Sequence, residues 1–296
     1  YADVKLAHDG HFEKSMEIHS SWGTFEWLMQ DAFEMGYRCG IVSNSDGHKG
    51  RPGASYPGAS LFGAVGGLTC FLMPELSRKA MLDCIRKRHH YGTTGGHGGR
   101  MIIDVQASFD KEGTLYHDDP NLGPAEGAVT QSAIMGDIVH VPEGGAKFSA
   151  DIIGAAPIER IDIFNGLDHI ETIRPYRKEE LGNRIRVVWE GAEYRGRFRQ
   201  VIWDGSAQLS DNKIVDASPI NFFNRDKTLD RVGDSGLAWR ALTTGNIGGF
   251  DIWVEDPYGG TLKLETPLVK CGVPLEDISY EDEVFDNSVV LPRFLK

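Results

Sequence analysis

Residues 40–53 read GIVSNSDGHKGRPG. A small, apolar, β-prone run, Gly40–Val42, stops abruptly at a carboxylate and an imidazole. Asn44, Ser45, Asp46, Gly47 and His48 follow at once, and then a Gly/Pro-rich loop. Asp46 and His48 lie two apart, so in an extended conformation both side chains point to one side. A hard oxygen beside a borderline nitrogen suits a divalent metal such as zinc, manganese or iron. In α/β barrels, catalytic groups gather at the C-terminal ends of the strands. Asp-Gly followed by polar residues is also ordinary turn chemistry, and that reading stands beside the metal one.

The segment upstream extends the pattern. Ser15–Ser20 (SMEIHS) reads as a short strand with Glu17 and His19 on one face. Residues 24–35 read as a helix, because Phe25, Leu28, Met29, Ala32 and Phe33 recur at helical spacing. Thr24 fits the N-cap and Gly36 the C-terminal stop. Strand, helix and strand make one βαβ unit, and a right-handed crossover makes the two strands parallel. Their C-terminal ends then share a rim, where His19 and the Asp46–His48 pair could meet. His19 reads equally well as an ordinary loop or supporting histidine. Glu17 fits a hydrogen-bond partner better than a ligand.

The longer run SNSDGHKGRPG, followed by GGLT and by RKAMLDCIRKRHHYGTTGGHGGRMIID, carries a family likeness. It resembles the last metal-binding motif of the PHP (polymerase and histidinol phosphatase) superfamily and a large bacterial family adjoining it. There a Ser-Asp-x-His-x-x-Arg-Pro-Gly loop precedes a Gly-Gly-Leu-Thr strand, a helix and a Tyr-x-Thr-Thr-Gly turn. The likeness covers residues 12–108 well and the rest weakly. It implies a metal-dependent hydrolase of the phosphoesterase kind, in which a metal-activated water attacks phosphorus. Asp46 and His48 would be ligands, and His19 a ligand or near-ligand. Arg51 would anchor a small anionic substrate, although Arg-Pro-Gly loops also simply brace turns. The resemblance also implies a turn bringing Thr93, Thr94 and His97 toward the rim.

The superfamily's opening His-x-His motif is missing from these 296 residues. The nearest cluster, His8-Asp9-Gly10-His11, has a different spacing, and Trp22 stands where the related family often has His. The expectation is therefore a C-terminal part of a longer protein. It would be associated with a second copy or with its own missing N-terminal segment, because a barrel lacking its first strands exposes unpaired edges. The rival reading is a non-catalytic binding or assembly module with an incomplete metal site. With the start expected upstream, cytoplasm and periplasm both stay open.

Composition bounds these readings. The net charge is −12, from 43 acidic and 31 basic residues, which argues against a nucleic-acid partner needing a basic face. No run of about 18 apolar residues marks a membrane span. Cys39, Cys70, Cys84 and Cys271 lack C-x-x-C spacing and read as free thiols. Leu68–Met73 reads as a strand and residues 74–89 as a helix, whose basic end complements the helix dipole.

From about residue 125 the texture changes to short alternating runs punctuated by Asn165-Gly166, Asp204-Gly205 and Gly259-Gly260. The expected fold is thus α/β plus β: residues 1–110 the C-terminal part of a PHP-like distorted (β/α) barrel, residues 125–296 an antiparallel β-sandwich. Trp189, Trp203, Trp239 and Trp253 fit its core or edge better than a sugar platform. Arg195, Arg197 and Arg199 alternate along one strand and suggest a salt-bridged face. The acidic tail, residues 276–286, reads as surface-bound or partly disordered.

Overall fold

The computed structural model describes residues 3–47, 65–94, 99–193, 195 and 199–286. These fall into two compact units that change over between Pro157 and Ile158, with residues 22–24 belonging to the second.

In the first unit, strand Ser15–Ser20 pairs in parallel with Gly40–Ser43. The intervening helix is Glu26–Glu34, with Leu28, Met29 and Ala32 buried. Its N-cap falls one residue later than expected, at Phe25, with no side-chain cap. Gly36 stops it in the left-handed region, at φ +72°. Phe33, expected inside, is exposed.

The next strand, Leu68–Phe71, and the strand His90–Thr93 flank helix Arg78–Lys87 but pair antiparallel. Ser77 caps that helix, its Oγ accepting from the Ala80 N–H at 3.1 Å. Three glycines let this strand pair lie directly on the first. A Cβ at Gly40 would stand 2.4 Å from the His90 ring, at Gly67 2.4 Å from Ser43 Cβ, and at Gly92 2.2 Å from Ser43 Oγ. The layer is therefore closed to any larger residue at those positions.

Beyond it runs a 16-residue strand, Met101–Tyr116. It pairs antiparallel with Gly127–Ile134, Ile138–His140 and Ala146–Gly154.

The second unit is antiparallel. Ile247–Val254 runs between Arg184–Glu190 and Ile214–Ile220. Five further strands form a sheet, in the order Leu229–Val232, Gly236–Trp239, Gly205–Ser210, Thr261–Glu265 and Lys270–Pro274. Both sheets feed one core, in which Trp189, Phe250, Ile252 and Val254 meet Leu209, Leu237, Trp239 and Leu262.

The expected (β/α) barrel is not formed. Among the described residues there are two short helices, and the strands lie in several small sheets, none of them closed. A parallel barrel needs a crossover helix for each strand. After Lys87 the described chain supplies strands joined by turns, and these pair antiparallel with their neighbours. Residues 127–154 thus join the first unit's sheet rather than starting a sandwich. Among the described residues no helix is long and apolar enough to cross a membrane. The four cysteines are free.

Candidate functional site

The parallel register sets Ser15 opposite Gly40 and His19 opposite Ser43. The ladder continues past the strand ends, since the Asn44 N–H donates to His19 O at 3.0 Å and the Ser21 N–H to Ser45 O at 3.4 Å. His19 and the segment Asn44–Asp46 thus share one C-terminal rim. Thr69 pins that rim from the neighbouring strand. Its hydroxyl accepts from the Ser43 N–H at 3.1 Å and donates to Ser43 O at 2.9 Å. The Gly67 N–H adds a bond to Asn44 O at 2.9 Å.

The side chains at the rim differ from the sequence reading in two ways. A β-bulge shifts the register between Glu17 and His19. Bulges re-aim side chains, and here Ile18, His19 and Ser20 are buried in succession while Glu17 stays half-buried. The expected shared face of Glu17 and His19 is therefore broken. Glu17 is engaged instead as an acceptor, taking the Asn44 Nδ2–H at 2.7 Å. Asp46, exposed, has φ +45°. That is left-handed backbone, which Asp tolerates better than most residues, so the extended alternation assumed for Asp46 and His48 does not run through it. His48, Arg51, Thr94's neighbour Gly95 and His97 lie outside the described residues.

His8 and His11 stand apart from the rim. His8 Nδ1 pairs with Glu13 at 2.9 Å and its ring stacks on Tyr37 at 4.0 Å. His11 pairs with Asp9 at 3.0 Å. Among the described residues, no three His, Cys, Asp or Glu side chains are grouped as a metal would need.

At the opposite end of the same strands the structure places a pair that the sequence reading did not single out. His90 is 3% exposed. Its Nδ1 lies 2.9 Å from Ile41 O and its Nε2 2.9 Å from Ser15 Oγ. A carbonyl only accepts, so Nδ1 carries the proton and Nε2 accepts from the Ser15 hydroxyl. Burial lowers the His90 pKa below that of a free histidine. The unfolded chain therefore binds a proton near pH ~6.5 that the folded chain refuses. Stability present above that pH falls as pH drops below it, until the folded pKa is reached. His117, exposed at the surface, is lowered in the same direction by partial desolvation and the Lys87 charge, which solvent screens, so His90 is the group that sets the slope. His90→Asn is expected to flatten the loss of Tm between pH 7 and 5; an unchanged slope would remove His90 as its source.

No family model, no curated protein and no solved structure matches this chain.

Proposed function

We propose that this chain carries part of a metal-dependent hydrolase site of the phosphoesterase type, akin to the PHP superfamily. Asp46 and His48 are its ligands, His19 a ligand or near-ligand, and Arg51 the anchor for a small anionic substrate. The observation that carries this reading is the parallel register, which sets His19 beside Asn44–Asp46 at the C-terminal ends of two strands. Oxygen and imidazole donors suit zinc, manganese or iron. Such an ion, when bound, supplies Lewis-acid activation of water and charge neutralisation at the phosphoryl group.

The remaining work falls to the chain. Thr69 and Gly67 hold the strand end that presents Asp46. Asn44 keeps Glu17 occupied as an acceptor, which leaves the rim to Asp46 and the imidazoles. Arg51 offers a planar fork suited to a phosphate.

A second reading has one observation in its favour. The sequence lacks the His-x-His motif that the resemblance would require, so a non-catalytic binding or assembly module with an incomplete metal site also fits. Metal content separates the two. With the remaining ligands present, the protein is expected to hold a divalent ion that Asp46→Ala and His48→Ala each lose, and to hydrolyse an aryl phosphate only when loaded. Asp46→Ala should abolish turnover, whereas Arg51→Ala should mainly raise KM if it binds ground and transition states alike. Metal content unchanged in both ligand variants would reject the site. Bound metal without hydrolysis of any phosphoester would favour another hydrolytic substrate or the binding module.

A further inference from the structure

The second unit presents two arginines at the open end of a hairpin. Strands Ile161–Asn165 and Asp168–Ile173 pair antiparallel, with Ile161 opposite Ile173. Arg160 and Arg174 stand one residue beyond that pair, on either side of the hairpin mouth. The Arg174 side chain is only 9% exposed and that of Arg160 30%. A guanidinium so withdrawn from water calls for an anion.

The anion comes from the far end of the chain. Asp282 splits its two oxygens between the pair, Oδ1 accepting from Arg174 Nη2 at 2.9 Å and Oδ2 from Arg160 Nη1 at 3.0 Å. Tyr280 lies beside it, with the Arg174 guanidinium 5.4 Å from its ring centroid. The Tyr280 ring meets Tyr176 edge-on at 5.8 Å, and its hydroxyl donates to Tyr176 O at 3.3 Å. Arg174 Nη1 completes the cluster by donating to Tyr176 Oη at 3.2 Å. Among the described residues, Asp162 lies 2.9 Å from Arg160 Nε, and the titratable His169 lies 3.9 Å from Asp162.

The occupant is less deeply held than the site. The Asp282 side chain is 53% exposed, whereas Arg174 is one-sixth as open. Residues 276–286 hold six acidic side chains and no lysine or arginine, so the segment is drawn to the pair by long-range charge as well as by contact. After the buried anchor Leu275, Tyr280 is half-buried and residues 281–286 are exposed. Two arginine forks converging on one carboxylate also match the oxygens of a phosphate group.

We propose that Arg160 and Arg174 form a phosphate-binding site whose resident occupant is the chain's own Asp282, so that release of the Tyr280–Asp282 strap opens the site to a phosphate-bearing small molecule. Its residues all belong to the second unit, and the proposal does not rest on the proposed metal centre. With the strap seated, Asp162 and Asp282 offset the two guanidinium charges. With it released, one positive charge is left uncompensated beside a tyrosine-lined wall.

Competition is the test, with inorganic phosphate as the probe and the full chain as the sample. Linkage requires that a ligand displaced by the strap also displaces it. Phosphate should speed amide exchange in residues 279–284 of the unaltered protein, while chloride at the same ionic strength should not. The double variant Tyr280→Ala/Asp282→Ala should bind phosphate more tightly by the inverse of the open fraction, about tenfold for a minor open state on the order of 10%. Adding Arg174→Gln should abolish that gain. Exchange that ignores phosphate, or a double variant that binds it no better than the parent, overturns the proposal.

Discussion

Arg88→Met is expected to lower the stability of the first unit by about 3–5 kcal/mol. Arg88 is the residue after helix Arg78–Lys87 and sits in the left-handed region at φ +61°. That turn directs its side chain inward, to 4% exposure. Nε donates to Gly136 O at 3.2 Å, Nη1 to Arg86 O at 3.2 Å and Nη2 to His117 O at 3.0 Å. One guanidinium thus joins the helix end to the end of the long strand and to the turn beyond Ile134. Burial lowers the Arg88 pKa, while Asp119, Asp118 and Asp137 oppose that effect. The charge is therefore partly compensated, with no carboxylate in an ion pair with it among the described residues. Methionine fills much of the stem volume but leaves carbonyls unpaired, each worth about 1–3 kcal/mol when buried. Urea unfolding, followed by amide exchange in residues 78–93 and 101–140, measures the loss. A change under about 1 kcal/mol would mean that water replaces the guanidinium without cost.

Arg88 also shows where sequence reading stops. Arg86, Lys87 and Arg88 form one basic run, and the helix-dipole argument treats all three as a solvated cap. Arg86 is exposed and Lys87 half-buried, while Arg88 turns into the core. The difference lies in one backbone dihedral, set by contacts with a turn 48 residues away. Arg199, read as part of a salt-bridged surface face, is likewise 1% exposed and donates from Nη2 to Thr24 O and Thr244 O.

Element type was more legible than pairing. Within the alternating texture beyond residue 125, residues 185–189, 249–254 and 261–265 alternate in sequence and lie within strands Arg184–Glu190, Ile247–Val254 and Thr261–Glu265, because a period-2 pattern is a local property. The antiparallel direction of Leu68–Phe71 against His90–Thr93 is not local, and it is there that the barrel expectation failed. At the candidate site, the strand and its abrupt end at Ser43 were legible. The bulge at Ile18 and the turned backbone at Asp46 were not, since both answer to the register of neighbouring strands.

The segment Gly249–Val254 supports the other large expected effect. Phe250→Ala should cost the second unit about 3–5 kcal/mol. Phe250, Ile252 and Val254 are fully buried and point to one side of the central strand. Phe250 meets Trp239 at 5.1 Å and Trp189 at 5.9 Å. Those two indoles stack on each other at 5.3 Å, 10° from parallel. Deleting the ring removes its transfer free energy and leaves a cavity between large rigid indoles that cannot collapse into it. On the opposite side of the strand, Asp251 takes a two-pronged bond from Arg186 at 2.8 and 2.9 Å, and Trp253 is half-buried. Phe250→Leu should cost less, because much of the volume stays, and Trp253→Ala should cost least of the three. Equal midpoints for Phe250→Ala and Trp253→Ala in denaturant would contradict the one-sided core.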